Sequence, residues 1–288
     1  MKPAPFAYKA PGSLDEALDL LQQHGDEAKP LAGGQSLVPL LNMRVLRPSV
    51  MVDLNRVRGL DRIEPVNGEV RVGALVRQRA LEDSQLTPQR LPLVAEALPH
   101  VGHFVTRNRG TVGGSIAHAD AAAELPLCLT VLGGEVVVRS TAGTRTVAAD
   151  AFFVTHFTTT LAPGELVVET VWPALGRGWG FAFEELSQRH GDYGLSIAAC
   201  ALRVDGGRVA EARVGVGSVV DRPTLVETAL AGEAVTAELA REAAIAAAAT
   251  LTAFANLHAS AKYQRHLTAV LVERAIGRAW RNAVAGAA

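Results

Sequence analysis

The sequence predicts an α+β protein in three lobes, at residues 1–55, 56–175 and 176–288, and three observations predict it. The first 55 residues alternate strand and helix signals as a compact βαβ-type unit. The middle region mixes alternating strands with short helices but has no repeated βαβ series. After a Gly- and Pro-rich break at 173–180, two strand-like runs flank Asp205-Gly206-Gly207, a strong turn signal, and helical sequence follows.

Residues 13–24 carry the clearest helix. Ser13 suits its N-cap, Glu16 completes a capping box, Leu14, Ala17, Leu18 and Leu21 line one face, and Gly25 ends it. A strand at 29–31 follows, then Ala32-Gly33-Gly34-Gln35-Ser36, a helical turn over 37–43 and a strand at 50–54. In the middle lobe, alternation predicts strands at 69–75, 136–140, 144–149 and 165–172, with helices at 79–85 and 91–98. The last lobe reads as an antiparallel sheet from FAFEELSQ, LSIAACALRV and RVAEARVGVGSVV. Helices are expected from Thr236 to about Leu257 and from Tyr263 to Trp280.

Composition excludes several classes of function. Twenty-eight Lys and Arg against 29 Asp and Glu leave a formal charge of −1, so neither a polycationic face for nucleic acid nor an acidic tail is expected. Hydrophobic residues at 49% and charged residues at 20% are an ordinary globular balance, not that of a disordered chain. Cys128 and Cys200 stand 72 residues apart with no CxxC pair, so this chain cannot by itself ligate an iron–sulfur cluster or a Cys-rich zinc site. Their surroundings, LPLCLT and SIAACAL, fit reduced core thiols. His103, His118, His156, His190, His258 and His266 show no HExxH or HxH spacing, and no metal site is expected. MKPAPFAYKAPGS lacks the apolar stretch of a secretory signal. The Ala-rich run near 243–261 is too polar for a membrane span, so a cytoplasmic protein is expected.

Two glycine pairs remain: Ala32-Gly33-Gly34-Gln35-Ser36 after a strand, and Thr111-Val112-Gly113-Gly114-Ser115 after Arg107 and Arg109. Adjacent glycines permit positive φ and let backbone N–H groups approach an anion, and a following Ser adds a hydroxyl. Two such loops can grip the two phosphates of a dinucleotide, although each alone is equally an ordinary turn. Neither fits GxGxxG or GxxxxGK[ST], and no GxSxG elbow exists. Asp120 and Glu124 follow the second loop. A carboxylate there can accept bonds from sugar-like hydroxyls, or Asp120 can cap a helix beginning at Ala121. Tyr193, in RHGDYGLS, is placed either to cover a planar ligand or to fill a core or interface.

At these loops the chain resembles the FAD-binding medium subunits of the molybdenum hydroxylases, the carbon monoxide dehydrogenase and xanthine dehydrogenase family. The resemblance runs nearly end to end, through FAYKAPGSLDEAL, KPLAGGQSLVPLLNMRVLRPSVMVDLN, RNRGTVGGSIAHADAAAELP, APGELVVETVWP, RHGDYGLSIAA and KYQRHLTAVLVERA. It implies a two-lobed FAD-binding fold of the vanillyl-alcohol oxidase type followed by a C-terminal sheet-plus-helix domain. It further implies that Ala32, Gly33, Gly34, Gln35 and Ser36 hold one side of the FAD pyrophosphate, with Leu31 lining the approach. Thr111, Val112, Gly113, Gly114 and Ser115 would hold the other side. Glu124 falls where the family has an Asp on the ribityl chain. Asp120 matches the Asp of an Asp-Pro pair whose proline is Ala121 here, Val167 lies against the flavin ring, and Tyr193 stands in front of it.

No residue is implied to act as acid or base on the organic substrate. The resemblance implies partners too: a large subunit with molybdopterin and a small subunit with two [2Fe-2S] clusters, usually as a dimer of heterotrimers. A free-standing FAD oxidase of the same fold, and a scaffold that has lost flavin, are the alternatives.

Overall fold

The structure, a computed structural model, describes residues 1–255 and 257–287. The first sheet is three-stranded and wholly parallel, in the order β1 (Ala7–Lys9), β3 (Val50–Asp53), β2 (Ala28–Leu31). Helix α1 (Leu14–His24) buries Ala17, Leu18 and Leu21 against Ala28, Val50 and Val52 of this sheet. Ser13 caps α1 as expected, accepting from Glu16 N at 3.2 Å. Glu16, however, reaches back to Gly12 N at 2.8 Å rather than to Ser13. Helix α2 (Leu37–Asn42) joins β2 to β3. Strand β1 has no counterpart among the expected elements: its three side chains are all exposed, so it carries no apolar alternation and forms through its pairing with β3.

The second sheet is antiparallel, in the order β4 (Ile63–Val66), β5 (Glu69–Gly73), β10 (Leu166–Pro173), β6 (Glu135–Ser140), β7 (Gly143–Ala148). Between β5 and β6 run α3 (Gln78–Asp83), α4 (Leu86–Arg90), α5 (Pro92–Ala97), α6 (Phe104–Arg107), α7 (Val112–His118) and α8 (Glu124–Leu132). All nine residues of α8 are buried, which makes it the axis of the largest apolar cluster. Helix α9 (Ala149–Phe152) and a small pair, β8 (Phe153–Thr155) and β9 (Thr158–Thr159), complete the region.

The third sheet orders β11 (Trp179–Ser187), β12 (Gly194–Asp205), β13 (Arg208–Gly217) and β14 (Thr224–Val226), all antiparallel. The Asp205–Arg208 turn has φ of 55° at Gly206 and 75° at Gly207, the paired positive values that a two-residue hairpin of type I′ requires. One face of this sheet, through Phe183, Ile197, Ala199 and Ala201, joins the cluster around α8. The other face, through Ala182, Ala198, Cys200 and Leu202, packs on α10 (Ala237–Ala249) and α11 (Ala261–Ala287). Burial on both faces explains why LSIAACALRV has no polar alternation. Cys128 and Cys200 are both buried and free.

Two helix expectations are corrected. Residues 112–118 form α7 although the sequence there lacks periodicity, because Thr111 caps it and the turn after β5 fixes its first residues through the Ala74 and Val76 carbonyls. The helix expected to reach Leu257 ends at Ala249. Thr250 donates its backbone N–H to the Ala247 and Ala248 carbonyls and its hydroxyl back to Ala247 O at 2.8 Å, closing the last turn.

Candidate functional site

The two glycine loops meet. A Cβ on Gly33 would overlap Arg109 O and lie 2.8 Å from Gly110 Cα, so only glycine allows this approach. The ideal Cβ position on Gly114 lies 4.0 Å from Ala32 Cβ. The loops are chemically unequal. In the first, Gly34 adopts φ +74° with Leu31 Cδ1 beside it, and Gln35 Nε2 donates to Gly33 O at 3.4 Å. The N–H groups of Gly34, Gln35 and Ser36 have no hydrogen-bond partner among the described residues, nor does the Ser36 side chain cap α2.

In the second loop every comparable amide is used. Val112 N bonds Val76 O at 2.9 Å, Gly113 N bonds Ala74 O at 3.0 Å, Gly114 N bonds Thr111 Oγ1 at 3.1 Å and Ser115 N bonds Thr111 O at 3.1 Å. The two glycine pairs, similar in sequence, therefore differ in what they offer. Three consecutive free amides belong to the first loop, while Val112–Ser115 of the second form a wall bared by Gly114.

Beyond the second loop, Asp120, Glu124 and Tyr193 come together. Asp120 is 7% exposed and accepts from Ala122 N at 2.9 Å, a local turn. The following helix begins at Glu124, not at Ala121. Glu124 is 8% exposed, and burial, then the Glu185 charge, pushes its pKa up to about 8. At neutral pH that favours the protonated carboxyl, which both donates and accepts. Tyr193 is 67% exposed, yet burial of its hydroxyl and the charges of Asp120 and Glu124 raise its pKa. Tyr193 is thus an exposed residue close enough to Asp120 and Glu124 to feel both carboxyl groups. Val167 is buried on β10 beside the register shift before Glu169. The next residue, Val168, accepts from Ala74 N at 2.9 Å, and Ala74 O in turn holds Gly113.

Three parts of this site are not foreseen by the sequence. Glu185 of β11 has a side chain only 3% exposed, an Oε2 with no hydrogen-bond partner among the described residues, and His100 Nδ1 at 3.9 Å. Burial raises its pKa to about 7. Phe157 is exposed at φ +57°, with its ring tilted against His156 at 3.9 Å and His118 at 4.7 Å between ring centres, and His156 Nε2 lies 3.4 Å from Asp120. The third part is a polar chain, Tyr8–Asp53–Asn55–Arg77, between the loops. Only Asp53 and Asn55 leave a signal, in the VDLN segment.

Free amides at one loop, a glycine-bared wall opposite, acidic groups for hydroxyls and an exposed aromatic ring define a non-Rossmann dinucleotide-binding protein. The approach of the loops needs glycine where a Cβ would collide, and the unbonded amides are of the kind that bind an anion. Residues 4–175 match the family described as FAD binding domain in molybdopterin dehydrogenase, and residues 181–279 match CO dehydrogenase flavoprotein C-terminal domain. The chain belongs to this family of FAD-binding oxidoreductase subunits.

It is 42% identical over 287 residues to 6-hydroxypseudooxynicotine dehydrogenase complex subunit alpha of Paenarthrobacter nicotinovorans, covering 98% of this chain and 97% of that one. It is 35% identical over 285 residues to the carbon monoxide dehydrogenase medium chain of Hydrogenophaga pseudoflava, covering 97% and 99%. A solved structure of carbon monoxide dehydrogenase from Hydrogenophaga pseudoflava, lacking the Mo-pyranopterin moiety, superposes with a TM-score of 0.95 at 36% identity over 98% of this chain and 99% of that one. These full-length matches leave a free-standing oxidase without support.

Proposed function

We propose that the chain is the FAD-carrying electron-transfer subunit of a molybdenum hydroxylase, working beside a large molybdopterin subunit and a small subunit with two [2Fe-2S] clusters, as a dimer of heterotrimers. The observation that carries it is the contact between the two glycine loops, with the Gly34, Gln35 and Ser36 amides free to bind. Those amides hold the pyrophosphate, flanked by Leu31, Ala32 and Gly33. Thr111, Val112, Gly113, Gly114 and Ser115 form the opposite wall and offer hydroxyls in place of amides. Asp120 and Glu124 bind the ribityl hydroxyls, Val167 backs the flavin ring, and Tyr193 covers its open side.

Bound FAD supplies the exchange between single electrons arriving from clusters and electron pairs leaving to an external acceptor. This chain binds and orients FAD, keeps water from its buried side, and leaves the substrate to the large subunit. Both cysteines are buried, which supports placing the clusters in a partner. The lobe boundaries at 55/56 and 175/176 belong to the same reading, supported by each of the three large sheets lying within one segment. So does a cytoplasmic location. Among the described residues, no helix is long and apolar enough to cross a membrane.

The test is the visible spectrum and FAD content of the chain, purified alone and then co-expressed with large and small subunits. Flavin bands alone, joined by iron–sulfur absorption and molybdenum in the complex, are expected. No flavin in either preparation overturns the reading, and substrate turnover by the lone chain would restore the free-standing oxidase. Gly33→Ala should abolish FAD retention, because its methyl collides with backbone Arg109 O that cannot yield without parting the loops.

A further inference from the structure

The two glycine loops are tied together by side chains as well as by contact. Asn55 Nδ2 donates to Ala32 O at 3.0 Å, and Asn55 Oδ1 accepts from Arg77 Nη2 at 2.5 Å. Arg77 Nη1 then donates to Arg109 O at 2.6 Å. The chain thus starts on a carbonyl of the first loop and ends on the carbonyl that leads into the second. Arg109 O is also the atom that a Cβ on Gly33 would strike.

Both ends are braced. Asp53 Oδ1 accepts from Asn55 N at 2.9 Å, and Tyr8 donates its hydroxyl to the other Asp53 oxygen. The Arg77 backbone forms an isolated bridge with Thr111, and Gln78 N bonds Gly110 O at 2.9 Å. Arg77 has no carboxylate within ion-pair distance among the described residues. Burial of its guanidinium and the like charge of Arg109 lower its pKa. A planar fork held by two neutral acceptors fixes distance and direction together, which a single ammonium cannot do. Because peptide units are planar, pinning the Ala32 carbonyl also fixes the plane from which the Gly33 N–H projects.

We propose that Arg77 is a positioning residue for FAD: acting through Asn55, it sets the spacing and the peptide-plane orientation of the two glycine loops. The proposal rests on the reading that these loops hold FAD.

The test uses the full chain stripped of FAD, as wild type, Arg77→Lys, Arg77→Met, Asn55→Ala and the Arg77→Met/Asn55→Ala double variant. FAD affinity is read by quenching of FAD fluorescence, and apo-protein stability by thermal melting. Arg77→Met should weaken FAD binding on the order of 10- to 100-fold, with Arg77→Lys in between, while the apo melting temperatures stay close to wild type. Since Arg77 and Asn55 act in series, the double variant should lose no more than the worse single one. Affinity within about twofold of wild type in Arg77→Met overturns the proposal, and so do additive losses in the double variant. A loss that follows a falling apo melting temperature in Arg77→Lys and Asn55→Ala alike also overturns it, since the strut would then be merely structural. Wild-type chain that takes up no FAD would instead overturn the cofactor reading, and this proposal with it.

Discussion

Glu124 and Glu185 set the pH response of the folded chain. Their folded pKa values of about 8 and about 7 lie above the ordinary 4.5, so the folded chain keeps protons that the unfolded chain releases. Their contribution to stability is therefore fully present below about pH 4.5 and is lost as pH rises through about 8. Each pH unit between the unfolded and folded values is worth about 1.4 kcal/mol. Urea unfolding of the FAD-free chain should show a loss of a few kcal/mol between about pH 5 and about pH 9, and Glu124→Gln should flatten much of that slope. Unchanged stability across this range would show that both carboxylates are solvated. Ser218 carries backbone strain. It holds φ +67°, and its buried hydroxyl has no hydrogen-bond partner among the described residues. Ser218→Gly relieves both penalties and should raise stability by about 1 kcal/mol in the same assay.

At the scale of elements, α11 lies directly on β11. A Cβ on Gly180 would overlap Ala279 O and Ala283 N and lie 2.8 Å from Ala283 Cα, all helix backbone with no freedom to move aside. Gly180→Ala should cost at least about 2 kcal/mol and lower the melting temperature, whereas a tolerated alanine would mean that the helix can slide. The elements legible in the sequence are those with a local signature. Examples are α1 with its Ser13 cap and apolar face, the Asp205-Gly206-Gly207 hairpin, and both glycine loops. Those that escape depend on distant partners. Strand β1 exists through β3, α7 hides behind two glycines that disfavour helix, and α10 stops where Thr250 turns its hydroxyl inward. In the site, Asp120, Glu124 and Tyr193 are legible through their motifs. Arg77 and Glu185 are not, because their partners lie far off in the chain.

At the scale of the molecule, the third sheet is a shared wall, with α8 and α5 on one face and α10 and α11 on the other. Arg278 of α11 stitches the wall to α5. It bonds Glu96 at 2.8 Å, Glu184 at 2.7 Å and Phe183 O at 3.1 Å, while Glu96 also accepts from Phe183 N at 2.9 Å. Arg278→Met leaves two part-buried carboxylates without their cation and should cost about 2–4 kcal/mol, read as a lower urea midpoint. A separate early transition for the C-terminal segment would mean that the apolar interface alone does not hold the wall in place.

The unequal loops have a consequence for how the protein takes up its cofactor. The amides of Val112, Gly113, Gly114 and Ser115 are already engaged, so in hydrogen-exchange mass spectrometry they should be protected before FAD arrives and change little afterwards. The amides of Gly34, Gln35 and Ser36 should exchange freely and slow sharply on loading. One jaw of the clamp is set when the chain folds, and the other is set by what it holds.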